Sequence, residues 1–153
     1  MWKTPTRSQQ PSDLPVTYSD ELIRKVLTDS HVIAVMGASP RPDRPSHGVM
    51  RYLLDKGHKV YPINPTCAGD TVHGQKVLAS LSEVPEPIHM VDIFRRADQA
   101  GNAVDEAISI GAKMVWMQLG VIDQAAADRA TRAGLTVIMD RCPVIEYRRL
   151  GMD

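Results

Sequence analysis

Five short apolar runs recur along the chain, and amphipathic segments separate most of them. A continuous run, as opposed to an alternating one, is typical of a strand that is covered on both faces of a parallel sheet. The predicted strands are residues 31–36, 59–63, 89–93, 113–117 and 135–139. The pattern therefore predicts a five-stranded parallel sheet at the centre of the molecule.

Helical spacing of apolar residues marks the segments between these runs. Ser19 opens a short amphipathic helix that ends before His31, and Asp123 caps a helix rich in alanine. Two further helices are predicted, one from about His47 to Lys56 and one marked by apolar positions in 100–108. Residues 66–87 are irregular, with a small hairpin expected at 71–72 and 76–77.

Glycines close three of the helices shortly before a strand begins. Gly57, Gly111 and Gly134 each precede a strand by no more than a few residues, and glycine tolerates the left-handed conformation that ends many helices. Repeated short helix-to-strand turns are typical of β-α-β units. We therefore predict an α/β fold: a Rossmann-like, doubly wound sheet of five parallel strands in the order 3-2-1-4-5, with an extra N-terminal helix. That order places a ligand crevice above Met36 and Met117, between the first and fourth strands.

The composition limits the classes of function. The 153 residues suit one domain, and 18 basic residues balance 18 acidic ones, so the chain lacks the basic field of a nucleic-acid binder. No apolar run approaches the roughly 18 residues of a membrane span. Residues 1–16 are polar and proline-rich, without the apolar centre of a signal peptide. We expect a disordered leader at 1–16, a domain at 17–150, and a cytoplasmic location.

The loop after the first strand is a candidate phosphate site. Gly37, Ala38 and Ser39 follow the strand directly, and a helix begins near His47. Glycine allows close approach of the backbone, and a helix N-terminus presents unpaired N–H groups and a partial positive charge. Ser39 and Ser46 add hydroxyl donors, and the following residues add charge: Arg41 and Arg44.

The usual dinucleotide fingerprint is missing. A long insertion separates Gly37 from Gly48, and the second strand ends in Ile63-Asn64-Pro65, without an acidic residue for a ribose hydroxyl. An NAD dehydrogenase is therefore disfavoured. An NADP-binding protein that uses an arginine for the 2′-phosphate remains open.

Six segments, each at the end of a predicted strand, together resemble one family. The chain is similar to the small, single-domain CoA-binding proteins, and in turn to the CoA-binding domain of the succinyl-CoA synthetase α subunit. The resemblance covers roughly residues 20–147 and rests on the segments 35–39, 44–49, 62–65, 91–95, 116–120 and 139–143.

The resemblance implies coenzyme A as the cofactor and assigns a role to each loop. The first loop meets phosphate, the Asn-Pro after the second strand lies against the nucleotide end, the third loop packs on adenine and ribose, and the fourth approaches the pantetheine arm. In chain order the implied cofactor-binding residues are Gly37, Ala38, Ser39, Arg44, Ser46, His47, Asn64, Pro65, Ile93, Phe94, Arg95, Gln118 and Gly120.

The chain departs from the synthetase pattern in two places. The synthetase holds the 3′-phosphate with a lysine shortly after the second strand, whereas residues 66–69 here contain none, so that Arg41, Arg44 or Arg95 would have to supply the contact. Because the sequence ends soon after the fifth predicted strand, we expect no counterpart of the synthetase's phosphohistidine domain. We therefore expect a CoA or acyl-CoA binding protein with no catalytic residue and no succinyl-CoA synthesis.

Other interpretations remain open. Cys142, beside Arg141, is either an activated thiol of a CoA-utilising enzyme or an ordinary buried cysteine. An NADP-linked reductase and an interaction domain with a decayed pocket are further alternatives. The five histidines lack metal spacing, so no metal site is predicted. We expect a small nucleotide ligand as the partner, neither nucleic acid nor membrane, and leave open a protein partner or a homo-oligomer.

Overall fold

A computed structural model describes residues 17–153, and the predicted leader at 1–16 lies outside this range. The helices are α1 Asp20–Asp29, α2 Pro45–Asp55, α3 Ala97–Ser109, α4 Gln124–Arg132 and α5 Pro143–Arg149. The strands are β1 Val32–Met36, β2 Lys59–Ile63, β3 Thr71–Val72, β4 Gln75–Lys76, β5 Met90–Ile93, β6 Met114–Met117 and β7 Thr136–Met139. All five predicted sheet strands, the four predicted helices and the hairpin β3–β4 are confirmed; α5 was not predicted.

The five long strands form one parallel sheet, which confirms the α/β Rossmann-like class and the extra N-terminal helix. Their order across the sheet is β2-β1-β5-β6-β7. Numbered as sheet strands along the chain, this is 2-1-3-4-5, and the predicted order 3-2-1-4-5 is corrected at its first three positions. Successive strands are added toward one edge of the sheet from β1 to β2 and toward the other edge from β5 onward, so the winding reverses between β1 and β5. At this point Met36 pairs with Ile93. The switch point therefore lies above these two residues and not above Met36 and Met117.

The residues of β2 explain why this strand lies at an edge. Pro62 has no backbone N–H to donate to a ladder, and proline within a sheet is largely confined to edge strands. Lys59 at the start of β2 is exposed and Tyr61 is half-buried, whereas every residue of β5 is buried. The fully buried β5 pairs with β1 on the inner side of the sheet, and β2 lies at its edge.

The two faces of the sheet carry separate apolar cores. One joins Ala34, Val91 and Val115 to the alanine-rich faces of α3 and α4. The other joins Val35 and Trp116 to buried residues of α1, α2 and α5. Helices therefore cover both faces, as a doubly wound sheet requires.

Two helices start at the caps that the sequence indicates. The Ser19 side chain accepts a hydrogen bond from the N–H of Leu22 at 3.1 Å, and the Asp123 side chain accepts one from Ala126 at 3.0 Å. Such caps satisfy N–H groups that have no partner within the helix. Along residues 17–153, no helix has both the length and the apolar character that crossing a membrane would take.

Candidate functional site

A crevice of about 840 Å³ opens at the carboxyl ends of the strands. Loops that follow β1, β2, β5, β6 and β7 all contribute to it. The lining residues are Gly37, Ser39, Pro40, Arg41, Arg44, Pro45, Ser46, Val49, Asn64, Thr66, Cys67, Phe94, Arg95, Arg96, Ala97, Gln118, Leu119, Gly120, Val121 and Cys142. A crevice at the switch point of an open α/β sheet is the usual ligand position for this architecture.

Gly37 allows two loops to meet at the floor of the crevice. Its φ is +86°, and a Cβ built at this position would lie 2.2 Å from the carbonyl oxygen of Phe94. Its N–H donates to the Ile63 carbonyl at 2.9 Å. The turn after β1 is thereby held against the end of β2 and against the loop after β5. Only glycine combines this conformation with so close a backbone contact.

The N-terminus of α2 faces the crevice without a cap. Arg44 occupies the N-cap position but makes no side-chain cap hydrogen bond, and Pro45 takes the first helical position. Arg44, Pro45 and Ser46 all line the crevice. The first turn of α2 contains no acidic residue. Its N–H groups and the helix dipole therefore favour an anion at this end of the crevice.

Four arginines line the crevice, and they differ in their partners. Arg41 pairs with Asp43 at 3.0 Å and Arg96 with Asp98 at 3.4 Å. Arg44 and Arg95 make no side-chain ion pair or hydrogen bond with any residue in 17–153. These two guanidinium groups are available to a ligand.

The Asn64 side chain forms hydrogen bonds within the protein that connect the loops after β1 and β2. Its Nδ2 donates to the Ala38 carbonyl at 2.8 Å, and its Oδ1 accepts from both the backbone and the hydroxyl of Thr66, at 3.0 and 2.7 Å. The neighbouring Cys67 thiol lies 3.7 Å from the same Ala38 carbonyl. Burial raises the pKa of this thiol. The turn after β2 is therefore fastened to the loop after β1.

A buried carboxyl group lies behind the crevice wall. Asp92, in β5, is fully buried, and desolvation raises its pKa well above the ordinary value. Gln118 lines the crevice and is itself buried. The hydrogen bonds of its carboxamide are satisfied when Nε2 faces Asp92, 2.9 Å from Oδ1 and 3.3 Å from Oδ2. In this orientation the Oε1 end of Gln118 points away from Asp92.

The buried Asp92 carboxyl is expected to make stability depend on pH. Because its folded pKa is raised, the unfolded chain releases this proton first as pH rises, and stability falls above the unfolded value of about 3.9. The Asp92→Asn variant has no titrating carboxyl group at this position, so its stability does not fall for this reason as pH rises. Its side chain can still accept a hydrogen bond from Gln118. We expect it to gain on the order of 1–3 kcal/mol over the wild type at neutral pH, and less at pH 4.

Urea unfolding of both proteins at pH 4 and pH 7 measures this difference. Asp98→Asn, the same substitution at an exposed position, reports the effect of the chemical change at the surface. A gain for Asp92→Asn that is equal at the two pH values would contradict the interpretation.

The loops after β6 and β7 are tied together on the far side of the crevice. Asp140 adopts a positive φ of 61° and its carboxylate accepts the N–H of Gly120 at 2.8 Å. The indole N–H of Trp116 donates to the Arg141 carbonyl at 2.9 Å. These bonds position Leu119 and Cys142 along the crevice wall.

Nine of the predicted ligand-binding residues line the crevice and four do not. Ala38 and Ile93 are buried in the two cores beneath it. The His47 ring packs on His73 with ring centroids 4.1 Å apart, and Pro65 is exposed on the turn after β2. Backbone position at a strand end was predictable, whereas the direction of each side chain was not. The nine are Gly37, Ser39, Arg44, Ser46, Asn64, Phe94, Arg95, Gln118 and Gly120.

The apolar part of the crevice was not predicted from the sequence. Val49 belongs to a helical face that was assigned to the core, and Leu119 and Val121 flank predicted residues. The sequence positions of Leu119 and Val121, next to the predicted site residues Gln118 and Gly120, could have indicated that they line the crevice. Cys142 is buried and lines the crevice wall.

His58 and His89, near the opposite end of the sheet, form hydrogen bonds within the fold. His89 Nδ1 accepts the N–H of Val32 at 3.0 Å. The His58 ring lies between the Ser30 carbonyl and the Tyr147 hydroxyl, at 2.5 and 2.6 Å, and burial lowers its pKa. Across residues 17–153, no group of three or more His, Cys, Asp or Glu side chains is placed to hold a metal ion.

Comparison with known proteins identifies relatives over most of the chain. The family model described as CoA binding domain matches residues 31–148. The uncharacterized protein YneT of Bacillus subtilis (strain 168) is 39% identical over 120 residues, which are 78% of this chain and 87% of YneT. The structure of a hypothetical protein from Pyrococcus horikoshii OT3 superposes with a TM-score of 0.83 at 37% identity, covering 98% of this chain and 99% of the other.

A larger relative bears a functional name. The α subunit of ADP-forming acetate–CoA ligase I from Pyrococcus furiosus is 30% identical over 120 residues, or 69% of this chain. The match spans only 26% of that subunit. The similarity therefore concerns one part of the ligase subunit and not the whole of it.

Proposed function

Since this chain belongs to the CoA-binding domain family, we propose that it binds coenzyme A or an acyl-CoA in the crevice without catalysing a reaction itself. The observation that carries the proposal is the anion-binding edge of the crevice. There the turn at Gly37, the N-terminus of α2 and the guanidinium of Arg44, which has no side-chain partner in the described part of the chain, line the same crevice. Together these groups suit the pyrophosphate of a nucleotide cofactor.

The opposite wall of the crevice suits the uncharged arm of the cofactor. Leu119, Val121 and Cys142 offer mostly apolar surface. Gln118 adds one carboxamide whose orientation Asp92 fixes, leaving Oε1 as an acceptor for an amide N–H of the pantetheine. A large apolar cleft with a few well-placed polar groups is the usual form of a cofactor site.

Calorimetric titration with CoA, dephospho-CoA and NADPH tests the proposal. We expect CoA to bind and NADPH to give no heat. At a hundredfold excess of CoA over its dissociation constant, linkage gives roughly 2.7 kcal/mol of added stability, which for a domain of this size raises Tm by about 5–10 °C. Absence of both heat and thermal shift at millimolar CoA would remove the proposal, and tight NADPH binding would favour the reductase alternative.

Substitution of Arg44 tests the anion-binding edge. Arg44→Gln removes one charged hydrogen-bonding group, so we expect the dissociation constant for CoA to rise about 10- to 100-fold. Because Arg44 is exposed and its side chain has no partner within residues 17–153, the free energy of unfolding should stay within about 0.5 kcal/mol of the wild-type value.

Arg51→Gln is the matched control. Arg51 lies on α2 and pairs with Asp55 at 2.6 Å, and it does not line the crevice. Its substitution should leave CoA affinity unchanged in the same titration. Equal losses of affinity in the two variants would mean that a general change in charge, and not a contact at the helix N-terminus, governs binding.

A further inference from the structure

We propose that a small pocket at the amino end of the sheet binds a monocarboxylate with a short apolar tail. The pocket has a volume of about 250 Å³ and lies between α1 and the starts of β5, β6 and β7. The crevice lies at the opposite, carboxyl end of the same strands. The inference therefore concerns a second site and does not depend on the binding of CoA.

One wall of the pocket belongs to the extra N-terminal helix. Helix α1 ends at Asp29, whereas the family model of the CoA-binding domain matches from residue 31 onward. Leu22 and Val26 lie one turn apart on α1, and both line the pocket. The pocket is thus formed by α1 together with the matched domain, and the family match does not cover this wall.

The inner surface of the pocket is apolar. Val26 is 2% exposed, and Met114, the first residue of β6, is 8% exposed. Leu22 in the same lining is half-buried. Since an apolar cavity of about 150 Å³ holds a molecule the size of benzene, this pocket has room for a ligand of roughly 6–10 non-hydrogen atoms.

Lys113 determines the sign of the charge at the pocket. It is exposed, and its side chain forms no ion pair or hydrogen bond with any residue in 17–153. The other charged residues of the lining, Lys25 and Asp29, pair with each other at 2.8 Å. The lining therefore carries one net positive charge, which favours a ligand with a single negative charge.

His89 and Thr136 add hydrogen-bond donors to the lining. Nδ1 of His89 accepts the backbone N–H of Val32 at 3.0 Å, so the neutral ring carries its proton on Nε2. Within the described part of the chain, neither that N–H nor the Thr136 hydroxyl forms a hydrogen bond. Both residues line the pocket with Lys113. Donors of this kind match a carboxylate, which only accepts hydrogen bonds.

An NMR titration of the isotope-labelled full chain with hexanoate tests the inference, and hexanamide is the uncharged control ligand. For a ligand of about eight non-hydrogen atoms we expect a dissociation constant on the order of 1 mM. The largest shifts of backbone resonances should occur in residues 22–29, 89, 113–114 and 136. Hexanamide should bind about tenfold more weakly or less well still, because it lacks the charge.

Two variants and a matched control locate the carboxylate. Lys113→Gln should raise the dissociation constant for hexanoate about tenfold or more and leave that for hexanamide unchanged. Thr136→Val keeps nearly the same shape without the hydroxyl and should raise it about 3- to 10-fold. Lys76→Gln removes the charge of an exposed lysine in β4, outside the pocket, and should keep the wild-type affinity.

Several results would overturn the inference. One is the absence of saturable shifts at about 20 mM hexanoate, roughly twenty times the expected dissociation constant. Equal affinities for hexanoate and hexanamide would exclude recognition of the carboxylate, and shifts confined to the loops of the crevice would assign the anion to that site. Equal losses in Lys113→Gln and Lys76→Gln would show an effect of net charge alone. The titration with CoA decides the proposed function separately from all of these outcomes.

Discussion

Replacing Gly37 with alanine is expected to destabilise the protein by more than about 3 kcal/mol and to abolish CoA binding. Two costs combine at this position. The left-handed conformation at φ +86° costs a residue with a Cβ about 1–2 kcal/mol. The Cβ would also lie 2.2 Å from the carbonyl oxygen and 2.9 Å from the carbonyl carbon of Phe94. These are backbone atoms, so the loops after β1 and β5 must separate to admit it.

Gly57→Ala isolates the first of these costs. Gly57 has a similar φ of +94°, but nothing lies within 4 Å of its added Cβ. We expect this control to lose only about 1–2 kcal/mol and to bind CoA as the wild type does. Urea unfolding and calorimetric titration of both variants give the comparison. Equal stability of the two variants, with CoA binding intact in Gly37→Ala, would show that the contact with Phe94 does not shape the site.

Replacing Trp116 with alanine is expected to cost about 3–5 kcal/mol. The indole is fully buried at the centre of the face covered by α1, α2 and α5, and its removal leaves a cavity between β6 and these helices. Its N–H also holds the Arg141 carbonyl at 2.9 Å. The substitution therefore weakens both the core and the segment that carries Cys142 along the crevice.

Trp116→Phe separates packing from the hydrogen bond. Phenylalanine keeps part of the apolar volume and lacks the N–H donor, so we expect a smaller loss, on the order of 1–3 kcal/mol. Hydrogen exchange of residues 140–142 should rise in both variants. The hydrogen bond would have no structural role if exchange in this segment stayed at the wild-type rate in Trp116→Phe.

The sequence predicted which segments form strands, but it did not predict which strands lie next to one another in the sheet. Continuous apolar runs identify buried strands because both faces of a parallel sheet are covered, and all five runs became strands. Strand order depends on which pair of strands has the more favourable long-range packing. Pro62 indicates that β2 lies at an edge, whereas the predicted order placed this strand inside the sheet.

Helix α5 shows where local patterns fail. The segment Pro143–Arg149 is short, and isolated helices of this length are marginal. Contacts from distant parts of the chain stabilise it. The Tyr147 hydroxyl lies 2.6 Å from the His58 ring, and Arg149 donates to Asp20 at 2.8 Å. Such contacts have no local signature in the sequence.

The candidate site was predictable where the backbone determines it. Gly37 and the start of α2 were identified because a strand, a glycine and a helix N-terminus in succession form an anion site. The pairing of Asp92 with Gln118 was not predicted, because it joins a residue inside β5 to one beyond β6. The sequence likewise did not show which crevice arginines form ion pairs. In the structure, Asp43 pairs with Arg41 and Asp98 pairs with Arg96.

The most direct test is a crystal structure of the full chain with CoA. We expect pyrophosphate oxygens within hydrogen-bond distance of the first-turn N–H groups of α2, with the Arg44 guanidinium against them and the pantetheine arm running toward Gln118. A CoA molecule that lies elsewhere on the protein, or one whose pyrophosphate contacts neither Arg44 nor the turn at Gly37, would contradict it.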